Sequence, residues 1–139
     1  MSVQPKDGQA DLLSYLVAQS TPTPLILKLF TNNISSITDL NVASDFTEAT
    51  FTGYSNIVLT GSNWVITPSA TNVDAFASYP EVSFTSTANQ NQTVYGWYMV
   101  RQTTGKLFRA GLFSSPQVVT TSGIVVYITP KITVDSTLV

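Results

Sequence analysis

Short strand-like runs separated by polar turns fill the chain from residue 54 onward, and they restrict the fold more than any other feature. Residues 93–102 form the most aromatic run, with Tyr95 and Trp97 on one alternating set and Val94 and Tyr98 on the other. Because both sets contain large apolar side chains, this run predicts a central strand covered on both faces. The run predicted over 106–113 follows a Thr-Thr-Gly turn, which favours a hairpin.

Two further signals concern how the chain turns. Gly61-Ser62 predicts a second hairpin, in which residues 54–60 pair with residues 63–67. The last run, residues 123–134, is interrupted by Pro130. Since proline cannot donate to a strand ladder, this strand is predicted to lie at an edge or to bend at Pro130.

One helix is predicted, over residues 7–19. Its apolar side chains Leu12, Leu13, Leu16 and Val17 fall on a single stripe, Asp7 is placed to cap it, and the prolines that follow end it. A helix this short is marginal alone in water. The stripe is therefore expected either to cover an edge of the sheet domain or to pack on another subunit, and the sequence leaves both open.

About eight strands with no helices between them predict an all-β fold, an antiparallel β-sandwich with one short N-terminal helix. The long loops favour jelly-roll-like connections. The 139 residues suit one domain. We assign residues 1–22 to an N-terminal helical arm and residues 23–139 to a single β-sandwich domain.

The amino-acid composition excludes several kinds of catalytic and metal-binding site. With no cysteine and no histidine, the chain cannot use a cysteine nucleophile, a serine–histidine pair or a histidine-bearing zinc site. Carboxylates remain, in the pairs Asp45 with Glu48 and Asp74 with Glu81, but neither pair has a diagnostic spacing for a glycosidase or a calcium site. We predict a non-enzymatic protein with no catalytic residue, no cofactor and no metal site.

An aromatic set allows two interpretations. Exposed Trp and Tyr side chains could form a platform for sugars, whereas the same residues on strands more often pack in a core. The strand positions favour the core. The set comprises Tyr54, Trp64, Tyr79, Tyr95, Trp97, Tyr98 and Phe108.

The charge pattern argues against a nucleic-acid partner. The chain carries six basic and eight acidic residues, with a charged fraction of 10% where about 25% is typical. Arg101, Lys106 and Arg109 lie close in sequence, and we interpret them as solvated cations on hairpin strands. The N-terminal residues lack a secretory signal and no apolar run is long enough to cross a bilayer, so synthesis in the cytoplasm and no membrane partner are expected.

Several local phrases occur in a recognisable order across nearly the whole chain. Together they resemble small virion structural proteins of tailed bacteriophages. The phrases are Leu27 to Asn33, Phe46 to Thr50, Gly53-Tyr54, Tyr79-Pro80, Val94 to Tyr98 and Thr129 to Thr133.

The resemblance implies a jelly-roll protein located in the virion, a capsid cement or decoration protein that binds the outer shell surface and stabilises it. It also implies the major capsid protein as partner and a homo-oligomer, a trimer. A tail, neck or baseplate component, such as a tail-fibre attachment module bound to tail proteins, is the alternative, and a carbohydrate-binding module ranks below it. The helix, residues 34–52 and the chain ends are the expected contact segments.

Overall fold

The computed structural model describes residues 2–68 and 74–133. Residues 1, 69–73 and 134–139 lie outside the described ranges, and with them the start of the predicted arm, the end of the predicted sandwich domain and the end of the predicted last strand. The described elements are β1 (Ser2–Val3), α1 (Lys6–Leu16), β2 (Leu25–Phe30), β3 (Ile57–Leu59), β4 (Val65–Thr67), β5 (Phe76–Ser78), β6 (Val82–Thr85), β7 (Gln92–Arg101), β8 (Leu107–Val119), β9 (Val125–Ile128) and β10 (Lys131–Thr133), with 3-10 turns at Ala43–Asp45 and Gly61–Asn63.

The predicted all-β, antiparallel, sandwich-like fold with one short helix is confirmed. Within the described ranges ten strands form three antiparallel sheets, ordered β1-β8-β7-β2-β3, β10-β5-β4 and β6-β9. Most of these neighbours are far apart in sequence, as in the pairs β2–β7, β6–β9 and β5–β10. Long connections between paired strands are what the extended loops predict.

The hairpin between β7 and β8 is confirmed, and β7 is a central strand between β8 and β2. Gly105 adopts a φ of 68° in the turn, a left-handed conformation that glycine reaches without steric cost. A register shift between Val94 and Gly96 corrects the predicted faces. Tyr95 packs with the cluster around Tyr98, opposite Trp97, because the bulge changes the alternation there.

The predicted hairpin at Gly61-Ser62 is wrong. Residues Gly61–Asn63 form a 3-10 turn, after which β3 pairs with β2 while β4 pairs with β5 in another sheet. The turn therefore carries the chain from one sheet to the next. Pro130 has the same effect, because it separates β9 from β10 and the two strands join different sheets, which confirms the predicted bend.

Two hydrophobic clusters stabilise the fold. The larger contains Leu27, Leu29, Leu59 and Met99, all fully buried, and it fills the space between the sheets. The smaller centres on Phe30, whose ring meets Phe46 edge-on, with the ring centroids 5.0 Å apart. Alternate residues of β2 thus serve opposite clusters, which explains why both faces of this strand are apolar.

Candidate interaction surface

The N-terminal arm, defined here as β1 and α1, is attached to β8. Ser2 and Val3 pair with Gly111 and Ala110, and Gly8 lies directly on the β8 backbone. A Cβ at residue 8 would overlap the backbone of Phe108, so only glycine allows this approach. The helix spans Lys6–Leu16 rather than residues 7–19, and Pro5 rather than Asp7 occupies the N-cap position.

A charged pair fastens the helix to the end of β7. Arg101 Nη1 donates to Asp11 Oδ1 over 3.1 Å, and both side chains are nearly buried, with exposed fractions of 12% and 10%. The Arg101 guanidinium also lies 5.0 Å from the centroid of the Tyr15 ring, a cation–π arrangement. Among the described residues, Asp11 Oδ2 and Arg101 Nε are buried without a hydrogen-bond partner. The ion pair is thus largely shielded from water, so loss of either Asp11 or Arg101 would leave the other charge nearly buried and unpaired.

A second arginine fastens β1. Arg109, itself 8% exposed, donates from Nη1 to Ser2 Oγ over 2.9 Å and from Nη2 to the Thr133 carbonyl over 3.3 Å. Burial lowers the pKa of the Arg109 guanidinium. The prediction that Arg101, Lys106 and Arg109 are solvated hairpin cations is therefore wrong for both arginines, and Lys106 alone of the three is exposed.

The apolar stripe of α1 faces away from the rest of the chain. Leu12, Leu13, Leu16 and Val17 have exposed fractions of 42%, 61%, 80% and 60%. The buried positions of the helix are instead Gly8 and Asp11. The expectation that the stripe covers an edge of the sheet domain is therefore wrong, and its other predicted role, contact with another subunit, stays a prediction. We call these four side chains the helix stripe.

An apolar groove of about 400 Å³ lies beside the arm. It runs between the linker that follows α1, the turn at Gly61 and the strands β4, β5 and β10, and none of the side chains that line it within residues 2–68 and 74–133 is charged. Trp64 lines it and packs edge-on against Tyr79, with the ring centroids 5.1 Å apart. We call this the Trp64 groove; its lining residues include Tyr15, Pro22, Pro24, Trp64, Ile66 and Phe108.

The carboxylates singled out from the sequence have separate partners. Asp45 accepts hydrogen bonds from the Val42 amide at 3.0 Å and the Asn41 side chain at 2.8 Å, and these bonds lower its pKa. It thus orders the turn at residues 43–45. Glu81 is exposed and Asp74 is half-buried. In residues 2–68 and 74–133 no group of three or more metal-ligating side chains is placed to hold an ion.

The carboxylate of Glu48 accepts three hydrogen bonds from neighbouring side chains. Lys28 Nζ donates to its Oε2 over 2.9 Å, Tyr54 Oη donates to Oε1 over 3.0 Å, and Asn56 donates to Oε1 over 3.3 Å. Burial raises the pKa of Glu48, but the hydrogen bonds from Lys28, Tyr54 and Asn56 together outweigh burial and lower it. The Tyr54 hydroxyl also accepts from the Leu29 amide, so this network connects the residue 48 segment to β2.

We expect the Glu48→Gln variant to lose about 1–3 kcal/mol of unfolding free energy at neutral pH, because a charge-assisted bond to Lys28 disappears. The folded pKa of Glu48 is lowered, so its contribution is present above the unfolded pKa and is lost as the pH falls through the folded value. Urea unfolding between pH 7 and pH 3 should therefore show a flatter acid decline for Glu48→Gln. Glu81→Gln, at an exposed site, is the control and should follow the parent chain.

The aromatic set lies mainly in the core. Tyr79, Tyr98 and Phe108 are buried, and Tyr54, Trp64 and Trp97 are half-buried against the larger cluster. Burial, with a smaller contribution from the charge of Glu48, raises the pKa of Tyr98 to about 12. This placement favours the core interpretation over an exposed sugar platform.

No family model matches this chain, and neither a curated protein nor a solved structure matches it. No helix within the described ranges is long and apolar enough to cross a membrane.

Proposed function

We propose that this chain is a non-enzymatic structural protein of a bacteriophage particle. In this proposal it is a capsid cement or decoration protein that binds the outer surface of the shell, with the major capsid protein as partner. The observation that supports it best is the helix stripe, an exposed apolar surface on an arm that Arg101 and Arg109 attach to the sheet. A patch of this kind is typical of a protein–protein contact.

The energetics of the stripe suit a repeated contact. At roughly 1.5–3 kcal/mol for each fully buried Leu or Val, burying the exposed part of the stripe contributes roughly 4–7 kcal/mol. Association of two free molecules costs an estimated 4–15 kcal/mol. One stripe alone thus offsets only the low end of that cost, whereas many copies held on a symmetric shell gain from their high effective concentration.

The low charge of the domain supports the same role. Only 10% of the residues are charged, and the surface is rich in Thr, Ser and Asn. A protein contact made by such a surface does not strip water from many charged groups, which is the costly part of burial. This property is expected of a protein that works by surface contact.

Binding to undecorated shells tests the proposal. We expect the Leu13→Asp and Leu16→Asp substitutions to weaken occupancy of shells at least tenfold, because a charge would be buried in the contact. Tyr127→Asp, at a site on β9 that is 61% exposed, is the matched control and should bind like the parent chain. Circular dichroism checks that each variant folds, and undiminished occupancy by a chain lacking residues 1–20 would remove the arm from the contact.

The copy number in purified particles separates shell from tail. One copy per shell subunit, or a fixed simple fraction of it, is expected for a cement protein. A handful of copies would point instead to the tail, neck or baseplate. Absence from particles would overturn the structural role.

A further inference from the structure

The chain carries two apolar surfaces of opposite shape, and neither is filled within the described ranges. The helix stripe is convex, and the Trp64 groove is concave. We propose that the helix stripe of one copy binds in the Trp64 groove of a second copy of this chain. This inference rests on the proposed function in taking the stripe as a protein contact, and it assigns that contact to a neighbouring copy of this chain rather than to the major capsid protein. Shell occupancy then depends on the stripe because neighbouring copies on the shell hold each other in place.

The groove and the stripe match in chemistry. The described residues that line the groove are apolar or small and polar and carry no charge, so among them a charged segment would find no counter-ion. The stripe consists of three leucines and a valine, which bring no charge to be desolvated. A volume of about 400 Å³ is within the range of sites that enclose several apolar groups. Insertion of an apolar helix face into an apolar groove is a common mode of recognition.

The groove also explains the contact better than pairing of two stripes does. Two convex stripes in contact would touch along one row of side chains and leave most of each stripe exposed, whereas the groove presents twelve described lining residues to an inserted stripe. A groove surrounds the inserted side chains on several sides. Trp64 at its wall is the residue type that most often dominates binding energy.

The placement of the stripe and the groove limits the kinds of assembly that this contact can form. Tyr15 belongs to α1 and lines the groove, whereas the stripe lies on the exposed side of the same helix. The groove and the stripe therefore lie on different sides of α1. A one-way contact between these surfaces is heterologous and produces a closed ring or an open chain, whereas mutual exchange of the stripes between two copies produces a two-fold dimer. Every copy then gives one stripe and receives another.

Disulfide cross-linking tests the contact. Because the chain has no native cysteine, only the introduced thiols can react. Leu16→Cys and Ile66→Cys chains are mixed and mildly oxidised; Leu16 is on the stripe, and Ile66 lines the groove with an exposed fraction of 70%. Any dimer is intermolecular because each chain has one thiol. A disulfide needs Cα atoms within about 7 Å, so we expect the mixed 16–66 dimer to form at least tenfold faster than a control dimer of Leu16→Cys with Tyr127→Cys.

Two results would overturn the proposal. A 16–16 dimer that forms faster than the mixed dimer would indicate stripe-on-stripe pairing. Equal rates for the mixed dimer and the control would show that the groove is not the partner. Both outcomes are read on folded protein in solution, with no shell present.

Sedimentation equilibrium separates this proposal from the proposed function. We expect the parent chain to self-associate at concentrations up to about 100 µM, Leu16→Glu to associate at least tenfold more weakly, and Tyr127→Glu to behave like the parent. A parent chain that stays monomeric but still binds shells would overturn the second copy as partner and leave the shell role intact. Self-association without shell binding would support the contact and overturn the shell role.

Discussion

Replacing Asp11 with alanine should lower the free energy of unfolding by about 3–5 kcal/mol, measured by urea denaturation at neutral pH. The reason is that Arg101 would stay nearly buried at the end of β7 with its main partner removed. Its remaining contacts, a 3.4 Å hydrogen bond to the Thr21 carbonyl and the Tyr15 ring, replace little of that pairing. Hydrogen exchange should show the loss first in the arm.

Two variants give the prediction its controls. Asp7→Ala removes an acid from the first turn of the same helix, and it should cost only about 0.3–1 kcal/mol through the helix dipole. The double variant Asp11→Leu with Arg101→Met should recover most of the loss, because an apolar pair of similar volume avoids burying an unpaired charge. A loss below about 1 kcal/mol for Asp11→Ala would contradict a shielded ion pair.

Replacing Phe30 with alanine should also cost about 3–5 kcal/mol. Phe30 is fully buried at the end of β2, its ring centroid is 5.0 Å from that of Phe46 and 6.4 Å from that of Tyr98, and the smaller cluster is built around it. Truncation removes these contacts and leaves a cavity, since the strands on either side cannot move inward without losing their pairing. The measurement is thermal and urea unfolding of the purified variant.

A double-mutant cycle with Phe46→Ala makes this prediction specific. If the two rings stabilise each other as an edge-on pair, the double variant should lose less than the sum of the single losses, by about 0.5–1.5 kcal/mol. Val118→Ala is the control, at a residue that is 51% exposed, and it should stay within about 0.5 kcal/mol of the parent chain. Strict additivity of Phe30 and Phe46 would contradict direct coupling.

The sequence predicts a strand or a turn correctly where that element depends mainly on residues close to it in the chain. The strand over residues 93–102, the Gly105 turn and the bend at Pro130 all appear as expected. Each depends on backbone preferences that act within a few residues. The hairpin predicted at Gly61 failed because a turn redirects the chain equally well within one sheet or between two, and distant strands decide which.

The candidate surface depended on residues that are far apart. A helix with four aligned apolar side chains is normally docked by that stripe, yet here Gly8 and Asp11 form the buried face. Asp11 can be buried because Arg101, 90 residues further along the chain, reaches it, and Gly8 is needed because the Phe108 backbone lies against it. Neither contact can be predicted from the spacing of residues along the helix.

By itself, then, the sequence determined the β-rich class, the single N-terminal helix and the lack of cysteine and histidine chemistry, because composition and short-range periodicity are sufficient for these. Only the tertiary structure decided which side of α1 is free, that Arg101 and Arg109 fasten the arm, and that a groove lies beside it. The physical reason is that burial is settled by which distant groups can pair or fit closely, and a stripe left without such a partner remains exposed to water.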